Sequence, residues 1–94
     1  MEISEDRLLD LAERDMRMYD SRFGYKNEIE KVEYKTYEIG LIAIDVSRKD
    51  GSVATLCSGN DLDEIVRSYL VDLKMVWGTE SLEEFEMLLE SKGF

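Results

Sequence analysis

Carboxylates are the side chains with which this chain can do chemistry. It carries 22 Asp and Glu against 12 Lys and Arg, a net charge of −10, and no histidine. The commonest general base and metal ligand near neutral pH is therefore missing. Neither a Ser-His nor a Cys-His nucleophile pair can be assembled. Cys57 is the only cysteine and ends an apolar run with no activating base beside it. It reads as a small core residue rather than a nucleophile. Gly24, Gly40, Gly51, Gly59, Gly78 and Gly93 stand alone, so no glycine loop cradles a phosphate. Asn60-Asp61-Leu62-Asp63-Glu64 has oxygens for a hard cation but not the spacing of a calcium loop. Helix capping explains it better. Spacing alone leaves paired carboxylates for glycoside hydrolysis open, but a chain of 94 residues has little room for the cleft. The expectation is a protein that is not an enzyme and needs no cofactor or metal.

The acids fall in rows. Residues 1–20 hold seven acids and three bases, residues 21–57 six of each, and residues 58–94 nine acids and three bases. The excess thus lies outside the middle third. Asp61, Glu64 and Asp72 fall near one line of a helical wheel, and Glu83, Glu86 and Glu90 near another, with Glu80 and Glu84 beside them. Carboxylates three or four residues apart on a helix stand about 5–6 Å apart. Such rows can imitate the charge spacing of a phosphate backbone. The plainer reading of each row is a solvated helix face. As a whole the charge exceeds the magnitude of roughly 2–8 that solubility asks of a small domain. It disfavours nucleic acid and anionic membranes and favours a basic protein partner.

Elements must present these rows. Ser4 caps a first helix running to about residue 20, with Glu5 and Asp6 at the positive end of its dipole. Leu8, Leu9, Leu11, Ala12, Met16 and Tyr19 form its apolar face. Asp10–Arg14 and Glu13–Arg17 are favourable i,i+4 pairs. Residues 21–27 read as a loop. Strands are expected at 28–35, 37–46 and 53–57. In the second, Ile42, Ile44 and Val46 share one face, and Tyr37, Ile39 and Leu41 the other. Asp50-Gly51 between apolar runs signals a hairpin. Asn60 or Asp61 caps a second helix, whose stripe runs from Leu62 through Ile65, Tyr69 and Leu73 to Trp77, and Gly78 ends it. Tyr69 and Trp77 are read as core. Ser81 and Glu84 make a capping box for a third helix, which Gly93 stops.

The order is αβββαα, a single α+β domain over residues 1–94 with a three-stranded antiparallel sheet packed by helices. Apolar residues are 44% of the chain, enough for one core. No run approaches the ~20 apolar residues of a membrane span. The N-terminus lacks the basic start and apolar stretch of a signal peptide. One cysteine fits a reducing compartment. A soluble, cytoplasmic protein is expected, as a monomer or homodimer.

One stretch resembles a known family. Ile65-Val66, Tyr69-Leu70, Leu73-Lys74 and Trp77, followed by Glu80, Glu83, Glu84 and Phe85, look like the second and third helices of a phage anti-CRISPR family. The hairpin upstream, the element order and the acidity agree, so the resemblance covers about residues 37–90. It implies a phage- or prophage-encoded inhibitor of a type II RNA-guided CRISPR nuclease that acts as a DNA mimic in the bacterial host. Such an inhibitor occupies the groove where the nuclease reads the protospacer-adjacent motif. By position, Asp50, Gly51 and Ser52 would enter that groove and Glu80, Glu83 and Glu84 would cover the rest. Asp61 and Glu64 join them as partner-binding candidates. The chain departs from the family where Arg48 and Lys49 flank the hairpin tip, and where Ser81 and Leu82 stand in place of acids.

Two other readings share the composition. An acidic immunity protein or antitoxin would neutralise a basic nuclease toxin by the same electrostatics. A phage structural or regulatory protein would instead dimerise through an exposed apolar patch, for instance around Tyr34, Tyr37 and Ile39.

Overall fold

The computed structural model describes residues 3–94. The elements are α1 (Glu5–Phe23), β1 (Ile29–Thr36), β2 (Ile42–Arg48), β3 (Val53–Gly59), α2 (Leu62–Trp77) and α3 (Leu82–Ser91). The fold is α+β in the order αβββαα. The sheet is antiparallel throughout, in the order β1-β2-β3.

Local chemistry sets the helix ends. Ser4, Asp61 and Ser81 each accept a hydrogen bond from the backbone N–H three residues on, which satisfies a donor that the first turn leaves free. Gly24 and Gly78 close α1 and α2 in the left-handed region, at φ 70° and 76°. The first of these corrects the expected boundary. Ser21, Arg22 and Phe23 are helical, and the loop starts only at Gly24. Phe23 stacks on Tyr19 and Trp77, at ring-centroid distances of 4.6 and 6.3 Å, and this tertiary contact holds the extra turn.

The second strand is also shorter than expected. Tyr37 to Gly40 form a reversal, with the Gly40 N–H donating to the Tyr37 carbonyl at 3.0 Å and Gly40 at φ 79°. Antiparallel pairing of Thr36 with Ile42 demands that reversal, however strand-like the side chains look. Arg48 and Ser52 close the other hairpin around Lys49, Asp50 and Gly51. Its Gly51 sits at φ 90°, as a three-residue loop with a left-handed glycine requires.

α1 and α2 pack on one face of the sheet, and α3 packs against both of them. Leu8 and Leu11 of α1, Ile65, Tyr69 and Leu73 of α2, and Phe85 and Leu89 of α3 meet Ile44 and Cys57 in one core. The register puts Lys31, Glu33 and Lys35 of β1 beside Ala43, Asp45 and Ser47 of β2 on the opposite face. No helix is packed on that face, which is largely polar. Glu33 pairs with Lys31 and Lys35 at 3.5 and 3.7 Å. Asp45 is buried beneath Tyr37, whose hydroxyl donates to it, and accepts from the Thr55 hydroxyl at 2.9 Å. Of Tyr34, Tyr37 and Ile39, around which an exposed apolar patch would support a dimer, the last two are exposed. Tyr34 packs against the helical core, while Tyr37 and Ile39 lie in the turn.

Among the described residues, no helix is long and apolar enough to cross a membrane.

Candidate functional site

Several of the carboxylates singled out in the sequence are used by the fold itself. Asp61 Oδ1 accepts from the Glu64 N–H, and Glu64 Oε2 accepts from the Asn60 N–H, both at 2.9 Å. Ser81 Oγ accepts from the Glu84 N–H at 3.1 Å, and the Glu84 carboxylate reaches back to the Glu80 N–H at 3.4 Å. The pair at α3 is the capping box expected there, and at α2, where a single cap by Asn60 or Asp61 is expected, Glu64 adds a second bond to the cap of Asp61. One carboxylate oxygen of each of Asp61 and Glu64 is thus bonded to backbone. Glu80 pairs with Lys74 at 3.1 Å.

The hairpin tip is likewise built from within. Asp50 Oδ1 accepts from the Ser52 N–H at 2.9 Å and the Ser52 hydroxyl at 2.6 Å, while Oδ2 accepts from Asn27 Nδ2. Those bonds, with the nearby Arg48 charge, hold the Asp50 carboxyl below the usual carboxylate range. The two cations that flank the tip in sequence are matched. The Arg48 guanidinium turns inward and makes a two-pronged pair with Asp20 at 2.8 Å, adding a bond to the Asn27 carbonyl at 2.6 Å. Lys49 pairs with Glu28.

Geometry separates the candidates. Ser47 faces Val53 next to the tip, whereas Ile42 faces Gly59 at the far end of the same ladder. The seven-residue strand between them spans about 20 Å. Asp50, Gly51 and Ser52 therefore sit at one end of the sheet. Asp61 and Glu64, which follow Gly59 directly, sit at the other. The expected row of Asp61, Glu64 and Asp72 also breaks up, because Asp72 is half-buried in a cavity near the opposite end of α2. Glu86 leaves its row as well, drawn in by Arg7 and by Arg14 at 3.5 Å. Its carboxyl lies below its usual range for that reason. Glu83 stays exposed, and its charge reaches Arg7 on α1.

A different acidic group emerges at the far end. The N-terminal ends of α1 and α2 both approach Tyr34 there, whose hydroxyl lies in the field of both Glu5 and Asp61. Burial first, then those two charges, push the Tyr34 hydroxyl upward in pKa. The turn after Thr36 places Glu38 at the same end. Among the described residues, Glu5, Asp6, Glu38 and Asp63 are exposed and form no ion pair within 4 Å. Two helix N-termini also raise the local cost of bringing a cation close, so it is the exposed carboxylates that make this end attractive to one. The available signal was Glu5 and Asp6, which suit the helix dipole and also remain exposed charges.

The second feature missed is Asp15. It lies on the apolar stripe of α1, between Leu11 and Met18, and is only 5% exposed. Its Oδ2 accepts from the Tyr69 hydroxyl at 2.7 Å and its Oδ1 from Trp77 Nε1 at 2.8 Å. Burial raises the Asp15 carboxyl above its ordinary range, the two hydrogen bonds lower it in part, and the charge of Asp72 raises it further. The same burial, with Asp72 and Asp15, pushes the Cys57 thiol up to about 12 and so keeps it inert. Tyr69 is fully buried as expected, but Trp77 is not wholly core. It is half-buried and lines a cavity of about 330 Å³ with Asp15, Tyr19, Tyr25 and Asp72. An acid inside an apolar helix stripe was the sequence signal for this place.

No protein-family description matches this chain, and neither a curated protein nor a solved structure is similar to it.

Proposed function

We propose that this is a non-catalytic acidic binding protein that docks on a basic groove of a nucleic-acid-handling protein and displaces the nucleic acid by charge mimicry. The sequence resemblance names the target: the DNA-reading groove of a type II RNA-guided CRISPR nuclease, met in the bacterial cytoplasm by a phage- or prophage-encoded inhibitor. One observation carries the mimicry. Exposed, unpaired carboxylates gather at the end of the molecule formed by α1, α2 and the β1–β2 turn. Among the described residues, eight bases are tied to acids within the fold: Arg7, Arg14, Arg17, Lys31, Lys35, Arg48, Lys49 and Lys74. Internal pairing consumes most of the positive charge and leaves the surface surplus negative. Carboxylates presented this way make charge-assisted hydrogen bonds to the arginines and lysines that otherwise hold phosphates.

On this reading the implied contacts are joined by others. Asp50 is exposed, makes no ion pair among the described residues and is held ionised by neutral donors from Ser52 and Asn27, so the hairpin tip presents a fixed charge. Glu83 and the acids at the N-terminal ends of α1 and α2 supply further charge.

The test is an order-of-addition assay with guide-loaded type II nuclease. Protein added before target DNA should block DNA binding and cleavage, and protein added after DNA should not. Inhibition in either order would replace groove competition by a block at a later step. No binding to any of several nuclease orthologues would overturn the target. Capture of a basic toxin nuclease instead would support the immunity reading.

A further inference from the structure

The cavity around Asp15 has a composition that its structural role does not require. Its wall carries three aromatic rings, those of Tyr19, Tyr25 and Trp77, with Tyr19 and Tyr25 6.3 Å apart by ring centroids, and Phe23 outside the lining touches both Tyr19 and Trp77. Its charge is unbalanced. Asp15 and Asp72 both line it, and Asp72 makes no hydrogen bond or ion pair among the described residues. The one cation on its lining, Arg48, is already matched by Asp20 and stacked at 4.5 Å over the Tyr25 ring. Two carboxylates therefore share an aromatic-walled space with no free cation between them. At the surface beside it, Phe23 and Tyr25 remain more than half exposed, with Val76 next to Trp77 also exposed. Exposed aromatic rings around a concave, partly charged pocket are the features that mark the centre of a protein interface.

We propose that this cavity receives an arginine side chain from the basic partner, the guanidinium lying against the aromatic wall and bonding to Asp72. A guanidinium suits both halves of the lining. It stacks on aromatic faces and offers planar donors to carboxylates, where an ammonium offers a compact, strongly hydrated charge. Its five N–H groups can serve Asp72 while Asp15 keeps the bonds from Tyr69 and Trp77. A guanidinium beside Asp15 also offsets the repulsion between the two carboxylates. The partner's identity rests on the function proposed above, but the cavity's preference for a guanidinium does not.

Trp77 is the only tryptophan in the chain and reports directly on the cavity. The experiment is a titration of the intact protein with N-acetyl-arginine methylamide, read by Trp77 fluorescence. N-acetyl-citrulline methylamide, the neutral isostere, serves as control. A saturable change with the arginine probe and none with citrulline is expected. Asp72→Asn should weaken the arginine response by about tenfold or more, the scale of one charge-assisted hydrogen bond, with circular dichroism unchanged. Equal responses to both probes, or no saturable response to arginine, would overturn the proposal. The wild-type contrast decides it even if Asp72→Asn fails to fold. Arginine binding without nuclease inhibition would leave the cavity assignment standing and remove only the proposed target.

Discussion

Trp77 donates its indole N–H to Asp15 Oδ1 at 2.8 Å across a sequence separation of 62 residues, and Tyr69 donates to the other oxygen at 2.7 Å. Both donors come from α2 and the acceptor from α1. One carboxylate thus fixes how two helices sit against each other. Replacing Asp15 by Ala leaves the fully buried Tyr69 hydroxyl without an acceptor and opens a void beneath Trp77. The expected cost is about 2–4 kcal/mol. Urea unfolding followed by circular dichroism measures it. A loss below about 0.5 kcal/mol would show that the pair of bonds contributes little beyond what water supplies.

The same carboxyl gives an unusual pH dependence. Its folded pKa lies above the ordinary 3.8, chiefly through burial. A carboxyl raised on folding contributes stability that is full below its unfolded pKa and is lost as pH rises through its folded pKa. This is the reverse of a salt-bridged aspartate. Asp15→Asn does not titrate at this position. The Tm advantage of the wild type over this variant should therefore shrink as pH is raised from about 3 to 7. An advantage that grows over that range would mean that the two hydrogen bonds outweigh desolvation.

Arg48 and Asp20 form a largely buried, two-pronged ion pair that anchors the last turns of α1 to the end of β2. Removing one partner strands the other. Arg48→Met and Asp20→Leu should each cost about 3 kcal/mol, and the double variant less than their sum. A double-mutant cycle in urea measures this coupling. Strict additivity would mean that the two side chains act independently.

Two glycines make opposite demands. Gly51 needs its positive φ of 90°, but a Cβ there meets nothing within 4 Å. Gly51→Ala should cost about 1–2 kcal/mol from backbone strain alone. A Cβ on Gly59 would lie 2.7 Å from Glu64 Cβ and 3.0 Å from the Ile65 backbone nitrogen. Gly59→Ala forces β3 away from the first turn of α2, where Asp61 and Glu64 cap it. It should cost more than Gly51→Ala, about 2–3 kcal/mol. Thermal unfolding of the two variants side by side gives the order, and a reversed order would contradict the close packing at Gly59.

Much of the fold was legible because its determinants are local. Ser4, Asp61 and Ser81 announce helix starts within four residues of the bonds they make, and the stripe from Leu62 to Trp77 follows the helical period. The errors arose where distant partners decide. Tyr37, Ile39 and Leu41 alternate like a strand, yet pairing of β1 with β2 turns Tyr37–Gly40 into the connection. Phe23 extends α1 because it finds Trp77, which nothing near Ser21 reveals. The charged residues were the hardest to place. A helical wheel aligned Asp72 with Asp61 and Glu64, but not which of them would cap a helix and which would line a cavity. Arg48 looked like a charge at the hairpin tip until Asp20, on another element, drew it inward.

The most direct test of the account is to neutralise the acidic end without disturbing its caps. The variant Glu5→Gln, Asp6→Asn, Asp61→Asn, Asp63→Asn removes four charges from the first turns of α1 and α2, and asparagine at position 61 remains a good N-cap. Its affinity for guide-loaded nuclease would be measured over a salt series beside the wild type. The account predicts weaker binding and a shallower salt dependence, since fewer phosphate-like charges engage the basic groove. Unchanged affinity and an unchanged salt slope, in a variant with wild-type circular dichroism, would contradict it.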